Sequence, residues 1–144
     1  MPIRETPLTS VTVDTNIMAA GDALGAQLQM TNVPDSGIIR AILISDVDDE
    51  ASTTQTVWFF RSQPTVIATN AAFALADADL ELLIGARTIN VEFDAINGRI
   101  RYEECNIPYV TDGGSLWLQL ESDTGTPTYA AATDIKIKLF IEVV

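Results

Sequence analysis

The chain contains no histidine and only one cysteine among its 144 residues. Without imidazole there can be no histidine metal ligand and no serine or cysteine triad that depends on a histidine base. The single Cys105 cannot form a disulfide within the chain, so the fold does not depend on an oxidising compartment. We therefore expect a protein that is not an enzyme, with no catalytic residues, no cofactor and no bound metal.

Basic residues are scarce as well, because 8 lysines and arginines stand against 20 aspartates and glutamates, for a formal net charge of −12. Such a charge repels phosphate backbones and anionic lipid, so we expect neither nucleic acid nor a membrane among the partners. The longest stretch without a charged residue is Ser62 to Ala76, 15 residues. A membrane helix needs about 20 apolar residues. Met1–Pro7 has no apolar run, so no secretory signal is expected.

What the chain does contain is β-branched residues, since valine, isoleucine and threonine supply 41 of the 144 positions. These residues suit the pleated surface of a sheet. The clearest strand is Asp134–Val144, where apolar residues alternate with polar or aromatic ones. Leu116–Glu121 alternates in the same way, which predicts that Leu118 is buried and Gln119 faces solvent. In Thr88–Phe93 the same pattern predicts that residues 89, 91 and 93 face the core.

Two further segments are apolar on both faces, Ile38–Ile44 and Val57–Phe60. They are typical of central strands, or of strands whose outer face meets a partner. The remaining strand candidates are Thr9–Ile17, Gln27–Thr31 and Arg99–Cys105. One short helical turn is predicted over Asp77–Gly85, with Asp77 as its cap.

Turn residues separate these segments, and Asn97-Gly98 predicts the tightest hairpin because both residues tolerate a positive φ. About eight short strands with almost no helix predict an all-β protein, a two-sheet antiparallel β-sandwich that is jelly-roll-like. We expect a single domain over residues 9–144. Residues 1–8, with two prolines, are expected to form an extended N-terminal arm outside it.

Four groups of residues are candidate chemical sites. The acidic run Asp46–Glu50 fits either a cation-binding loop or a solvated hairpin tip, and its spacing is not that of the standard calcium loop. Glu103 and Glu104 raise the expected pKa of the neighbouring Cys105 thiol, which favours a structural role. Aromatic residues that include Trp58 and Trp117 fit either core packing or a sugar-stacking platform. The fourth group is a pair of carboxylates, which could catalyse glycoside hydrolysis and would make the chain a small hydrolase.

Several runs carry a resemblance to known proteins: Val13-Asp14, Ala20–Gly25, Gly37–Ile39, Leu43–Asp46, Asn70–Asp79 and Thr126–Ile135. Together they resemble small structural proteins of tailed bacteriophages, and among these the head decoration, or cement, proteins. The resemblance covers most of the chain beyond the arm. Its motifs are turn-and-strand signatures and hold no active-site chemistry.

The resemblance implies a non-enzymatic virion structural protein on the outer capsid surface, assembled in the host cytoplasm. Its implied partners are the major capsid protein, whose subunits it would bridge and stabilise, and itself, as a homotrimer. The alternative is a carbohydrate-binding module associated with a phage tail or fibre, for which the two tryptophans are the motivation.

Overall fold

The computed structural model describes residues 2–48 and 53–144, and strand is its dominant regular structure. The strands of this described part are β1 Ile3–Glu5, β2 Thr9–Val11, β3 Asp22–Ala23, β4 Leu28–Met30, β5 Ser36–Asp46, β6 Thr54–Phe60, β7 Leu83–Ile89, β8 Val91–Asp94, β9 Arg99–Val110, β10 Leu116–Thr124 and β11 Ile135–Val143. A short 3₁₀ turn, Asp77–Glu81, precedes β7. Of the described helical segments, none is long and apolar enough to cross a membrane.

The strands form two antiparallel sheets that pack face to face, as the sequence predicts. The six-stranded sheet has the order β1-β11-β5-β9-β8, with β2 also paired to β11. The five-stranded sheet has the order β3-β10-β6-β7, with β4 also paired to β10. Eight of the strands can be renumbered 1 to 8 along the chain: β2, β4, β5, β6, β7, β9, β10 and β11. In these numbers the six-stranded sheet contains the order 1-8-3-6 and the five-stranded sheet the order 2-7-4-5. This is the order of a jelly roll.

The core lies between the two sheets and is built from the alternating apolar residues of the long strands. Leu116, Leu118 and Leu120 of β10 are buried against Ile137 and Leu139 of β11 within one cluster. β5 and β6 each lie between two neighbouring strands, so both doubly apolar segments form central strands as predicted. Interleaved apolar residues from facing sheets are the main source of stability in such sandwiches.

The chain changes sheets at Asn90, which the alternation pattern does not reveal. β7 ends at Ile89 in the five-stranded sheet, and β8 begins at Val91 in the six-stranded sheet. Ile89 is buried as predicted, but Val91 is 43% and Phe93 is 57% exposed. The prediction that they face the core was wrong, because a strand that passes to the other sheet presents its alternate residues to the opposite side.

Two predicted local features differ in detail. The helical turn covers Asp77–Glu81 only, its N-cap is Ala76 with no side-chain cap, and Gly85 lies within β7. The hairpin between β8 and β9 is present, but the residue with positive φ is Ile96, at 75°. Gly98 is required there for another reason, since a Cβ at that position would lie 2.7 Å from the carbonyl oxygen of Asp46.

Part of the N-terminal segment is an edge strand of the six-stranded sheet. In β1, Ile3 pairs with Glu142 and Glu5 with Phe140, both on β11. Thr6 extends this contact, because its backbone N–H donates to the Leu139 carbonyl at 2.9 Å and its hydroxyl accepts from the Leu139 N–H at 2.9 Å. The extended conformation is therefore held by the chain's own strand. The boundary between arm and domain stays a prediction.

Candidate binding surface

The outer face of the five-stranded sheet is covered by the chain itself. The long connection between β6 and β7, residues 61–82, lies over this face, and we call it the covering segment. Phe60 is completely buried without belonging to the core between the sheets. The indole of Trp58 stacks on Phe73 of the covering segment, with ring centroids 5.4 Å apart. The apolar outer side of β6 therefore needs no partner molecule.

Gln119 shows how closely the covering segment is attached. Its amide donates hydrogen bonds to the carbonyl oxygens of Gly25 at 2.9 Å and Ile67 at 3.0 Å. The side chain is only 1% exposed. The prediction that Gln119 faces solvent was wrong, because the solvent side of β10 is occupied by residues from a distant part of the chain.

The outer face of the six-stranded sheet is different, because large apolar side chains on it remain partly accessible. We call this surface the outer face. Its register places Leu43 of β5 beside Tyr102 of β9, and Phe140 of β11 beside Ala41 of β5. Five of the exposed large apolar residues lie on it or at its margin: Ile3, Val91, Phe93, Val110 and Val144. Apolar surface of this kind typically marks a protein contact.

The charges on the outer face nearly cancel, although the whole chain carries −12. The guanidinium of Arg40 pairs with the carboxylate of Glu142, and it also contacts the amide oxygen of Asn106. Lys138 pairs with Glu5 at 3.3 Å and lies 5.1 Å from the centre of the Phe140 ring. The outer face therefore offers an apolar surface with little net repulsion toward another acidic protein.

A shallow depression of about 410 Å³ lies on the outer face, around a β-bulge in β5. The bulge turns both Arg40 and Ala41 outward, and the small alanine forms the floor between the rings of Tyr102 and Phe140. These rings meet edge to face, with centroids 6.4 Å apart. A side chain from a neighbouring protein could fill such a socket, as anchor residues do in well-packed interfaces.

A carboxylate pair is present on the five-stranded sheet, at Glu121 and Asp123 of β10. The Trp58 indole N–H donates to Glu121 at 3.0 Å, and the Thr56 hydroxyl donates to Asp123. Burial, followed by the charge and hydrogen bonding of Asp123, raises the pKa of Glu121, while the bond from Trp58 lowers it. Both acids lie next to each other on one strand with their hydrogen bonds engaged.

The two tryptophans do not form a joint sugar-stacking platform. Trp58 has its ring on Phe73, whereas Trp117 lines a separate depression of about 270 Å³ with Val66 and Gln27. The Gln27 amide already donates to the Pro64 and Thr65 carbonyls, at 2.8 and 2.9 Å. The polar group beside Trp117 is thus engaged within the protein.

The acidic run Asp46–Glu50 falls partly outside the described residues, since Asp49 and Glu50 are not among them. Asp46 is buried in an ion pair with Arg101, at 3.0 Å. Asp48 accepts a hydrogen bond from the Ala130 N–H at 3.0 Å. Within residues 2–48 and 53–144, no three acidic or thiol side chains come close enough to hold a metal ion.

Arg101 is the largest fully buried side chain in the described part of the chain. Its guanidinium reaches Asp46 at the end of β5 and the hydroxyl of Thr53 just before β6, each at 3.0 Å. It thereby ties together the two ends of the loop that contains the acidic run. No sequence signal distinguishes Arg101 from the exposed arginines, because its position between the sheets depends on long-range pairing.

Cys105 is half-buried on β9, and its thiol donates to the Ile39 carbonyl at 3.3 Å. Burial raises its pKa to about 11, with a smaller raising effect from Glu103 and a lowering effect from Arg87. The predicted direction was correct, although burial contributes more than the neighbouring carboxylate. A thiol with this pKa is almost fully protonated at neutral pH and a poor nucleophile.

Comparison with protein-family models, with curated proteins and with solved structures gave no match to this chain.

Proposed function

We propose that this chain is a non-enzymatic structural protein of a virion. In this proposal it is a capsid decoration, or cement, protein that bridges major capsid subunits on the outer head surface and stabilises the shell. The observation that carries the proposal is the outer face of the six-stranded sheet. It is apolar and near-neutral on an otherwise strongly acidic chain, as expected of a surface that neighbours cover in an assembly.

The fold is compatible with this role by analogy. Jelly rolls occur in viral capsid domains, and they also occur in lectins, so the fold alone does not separate the proposal from its alternative. The residue composition adds support, because a chain without histidine lacks the most common catalytic base.

The net charge of −12 also fits the proposed location. A protein on the outside of a filled head does not contact packaged DNA, so its acidic surface meets no phosphate repulsion there. The same surface on the inner side of the shell would face the genome at close range.

The alternative is a carbohydrate-binding module on a tail or fibre, and one observation favours it. Trp117 is partly exposed at the edge of a depression of about 270 Å³, and sugars commonly stack on an aromatic ring. The hydrogen bonds that occupy Gln27 weaken this alternative, since sugar recognition requires polar groups that remain able to bind hydroxyls.

Fractionation of the virus particle whose genome encodes this chain tests the proposal. Heads and tails are separated, and the chain is quantified in each fraction by mass spectrometry, with the major capsid protein and a tail protein as internal controls. The proposal predicts many copies per DNA-filled head and little in the tail fraction. Recovery in tails alone, or absence from the particle, would contradict it, and a specific glycan-array signal would favour the alternative.

A further inference from the structure

The outer face has an internal pattern that bears on which molecule covers it. Leu43 lies at its centre, with Phe140 at one diagonal corner and Ile100 at the opposite corner. The other diagonal ends in Lys136 on β11 and Glu104 on β9. Among the described residues, neither of these two charged groups forms an ion pair within the chain. One diagonal is thus apolar, and the other joins opposite charges.

We propose that a second copy of this chain packs on the outer face, about a two-fold axis that passes over Leu43 at right angles to the Lys136–Glu104 diagonal, which is roughly 20° from the apolar diagonal. This axis places Leu43 against Leu43 of the second copy and brings Lys136 of each copy to Glu104 of the other. The inference rests on the proposed function only in assuming that an assembly covers this face, and it identifies the molecule that does so.

The strand spacings set the angle at which the two copies would meet. Neighbouring strands lie about 4.8 Å apart, and alternate residues along a strand lie about 6.8 Å apart. With these spacings, the axis that exchanges Lys136 and Glu104 makes the strands of the two sheets cross at roughly 70°, near the orthogonal class of sheet packing. The geometry therefore corresponds to a known way in which sheets pack.

The size of the face is adequate for a stable pair. Its long strands β5, β9 and β11 have 11, 12 and 9 residues, which gives lengths of about 30–40 Å. With the short edge strands, the face covers roughly 600–800 Å², close to the about 800 Å² per partner of a standard interface.

Charge also favours a second copy at this face over contact elsewhere. Two chains of −12 repel each other over most of their surfaces, but on the outer face the Arg40–Glu142 and Lys138–Glu5 pairs are already neutral. The remaining Lys136 and Glu104 attract each other between copies. Because the same face is used on both molecules, the contact is isologous and closes as a dimer, in contrast to the trimer that the resemblance implies.

The test is the oligomeric state of the purified full-length chain, measured by sedimentation equilibrium over a concentration series. We expect a dimer for the natural sequence. Leu43→Arg should give a monomer, because two guanidinium groups would meet at the axis. The matched control is Val66→Arg, which changes a 71% exposed residue of the covering segment and should leave the dimer intact. Circular dichroism verifies that both variants are folded.

Charge exchange tests the register independently of the central leucine. Lys136→Glu alone and Glu104→Lys alone should each weaken the dimer about tenfold or more, since each creates two like-charge contacts. The double variant should recover most of the lost affinity. A monomeric or trimeric natural chain, or a dimer unaffected by Leu43→Arg, would overturn the inference, as would failure of the double variant to recover. None of these results depends on where the chain lies in a particle, which the fractionation experiment measures separately.

Discussion

The amide of Gln119 donates to two backbone carbonyls, that of Gly25 in a buried hydrogen bond and that of Ile67 in a partly buried one. Gln119→Ala should therefore lower the free energy of unfolding by about 1–3 kcal/mol. Leu118→Ala, at the core position beside it, should cost about 2–5 kcal/mol. Urea denaturation of both variants measures these changes.

The control for this prediction is Gln29→Ala on β4. Gln29 is exposed, and its amide donates to the hydroxyl of Ser115 at 2.8 Å. Its loss should change stability by less than about 0.5 kcal/mol. If Gln119→Ala were as mild as Gln29→Ala, the attachment of the covering segment would not depend on this amide.

Glu121 leads to a prediction about pH. Its pKa is raised in the folded protein, first by burial and then by Asp123, so the folded state binds the Glu121 proton more tightly than the unfolded chain. The corresponding stability is present at low pH and is lost as pH rises through the raised pKa. Glu121→Gln keeps an acceptor for Trp58 without the charge, so it should raise the melting temperature at pH 7.

The advantage of Glu121→Gln should disappear below about pH 4, where the natural carboxyl is itself protonated. Melting curves at several pH values for both proteins measure this dependence. Glu81→Gln, at an exposed position of the 3₁₀ turn, serves as the control. An equal gain at pH 4 and pH 7, or a loss at pH 7, would show that ionised Glu121 is not destabilising.

At the scale of strands, β1 protects the edge of β11. Deletion of residues 1–6 removes the pairing of Ile3–Glu5 and both hydrogen bonds between Thr6 and Leu139. All three β1 residues are exposed, so we expect the shortened chain to fold with a lower melting temperature. An uncovered sheet edge also invites pairing with other chains, so light scattering should show more aggregation on heating. An unchanged melting temperature without added scattering would contradict this role for β1.

Strands with regular alternation were predictable from the sequence, and β10 and β11 lie where the pattern places them. The pattern reports which residues share a side of a strand, but it does not report which sheet the strand joins. For this reason the pattern missed the change of sheet at Asn90. Val91 and Phe93 were predicted to face the core and are exposed instead. Likewise, nothing local to β10 indicates that the covering segment lies over Gln119.

The candidate surface was predictable only in part. The doubly apolar runs Ile38–Ile44 and Val57–Phe60 were expected to be central strands or to meet a partner, and both are central strands. Their outer sides then differ, because the chain covers the second run itself and leaves the first partly open. Only long-range packing determines that difference. The buried Arg101 was missed for the same reason, since its partners come from distant segments.

For the molecule as a whole, the proposed function leaves two ways in which the acidic chain could attach to a particle. The acidic run Asp46–Glu50 could bind basic patches on the shell, or apolar surface could carry the contact. Exposed apolar residues away from the outer face favour the second, because a second copy covers that face while Ile17, Leu80 and Ile96 are 64%, 56% and 86% exposed. Apolar contacts are weakened by urea, whereas contacts between charges are weakened by salt.

Retention of the protein on sedimented particles, across a salt series and a urea series, tests whether apolar surface holds it on a capsid. We expect the amount retained to stay nearly constant above about 0.5 M salt, where electrostatic screening lengths are only a few Å. Urea should release the protein at concentrations that leave the shell intact. Steep loss with added salt, and little sensitivity to urea, would contradict attachment through apolar surface and place the contact on the acidic run.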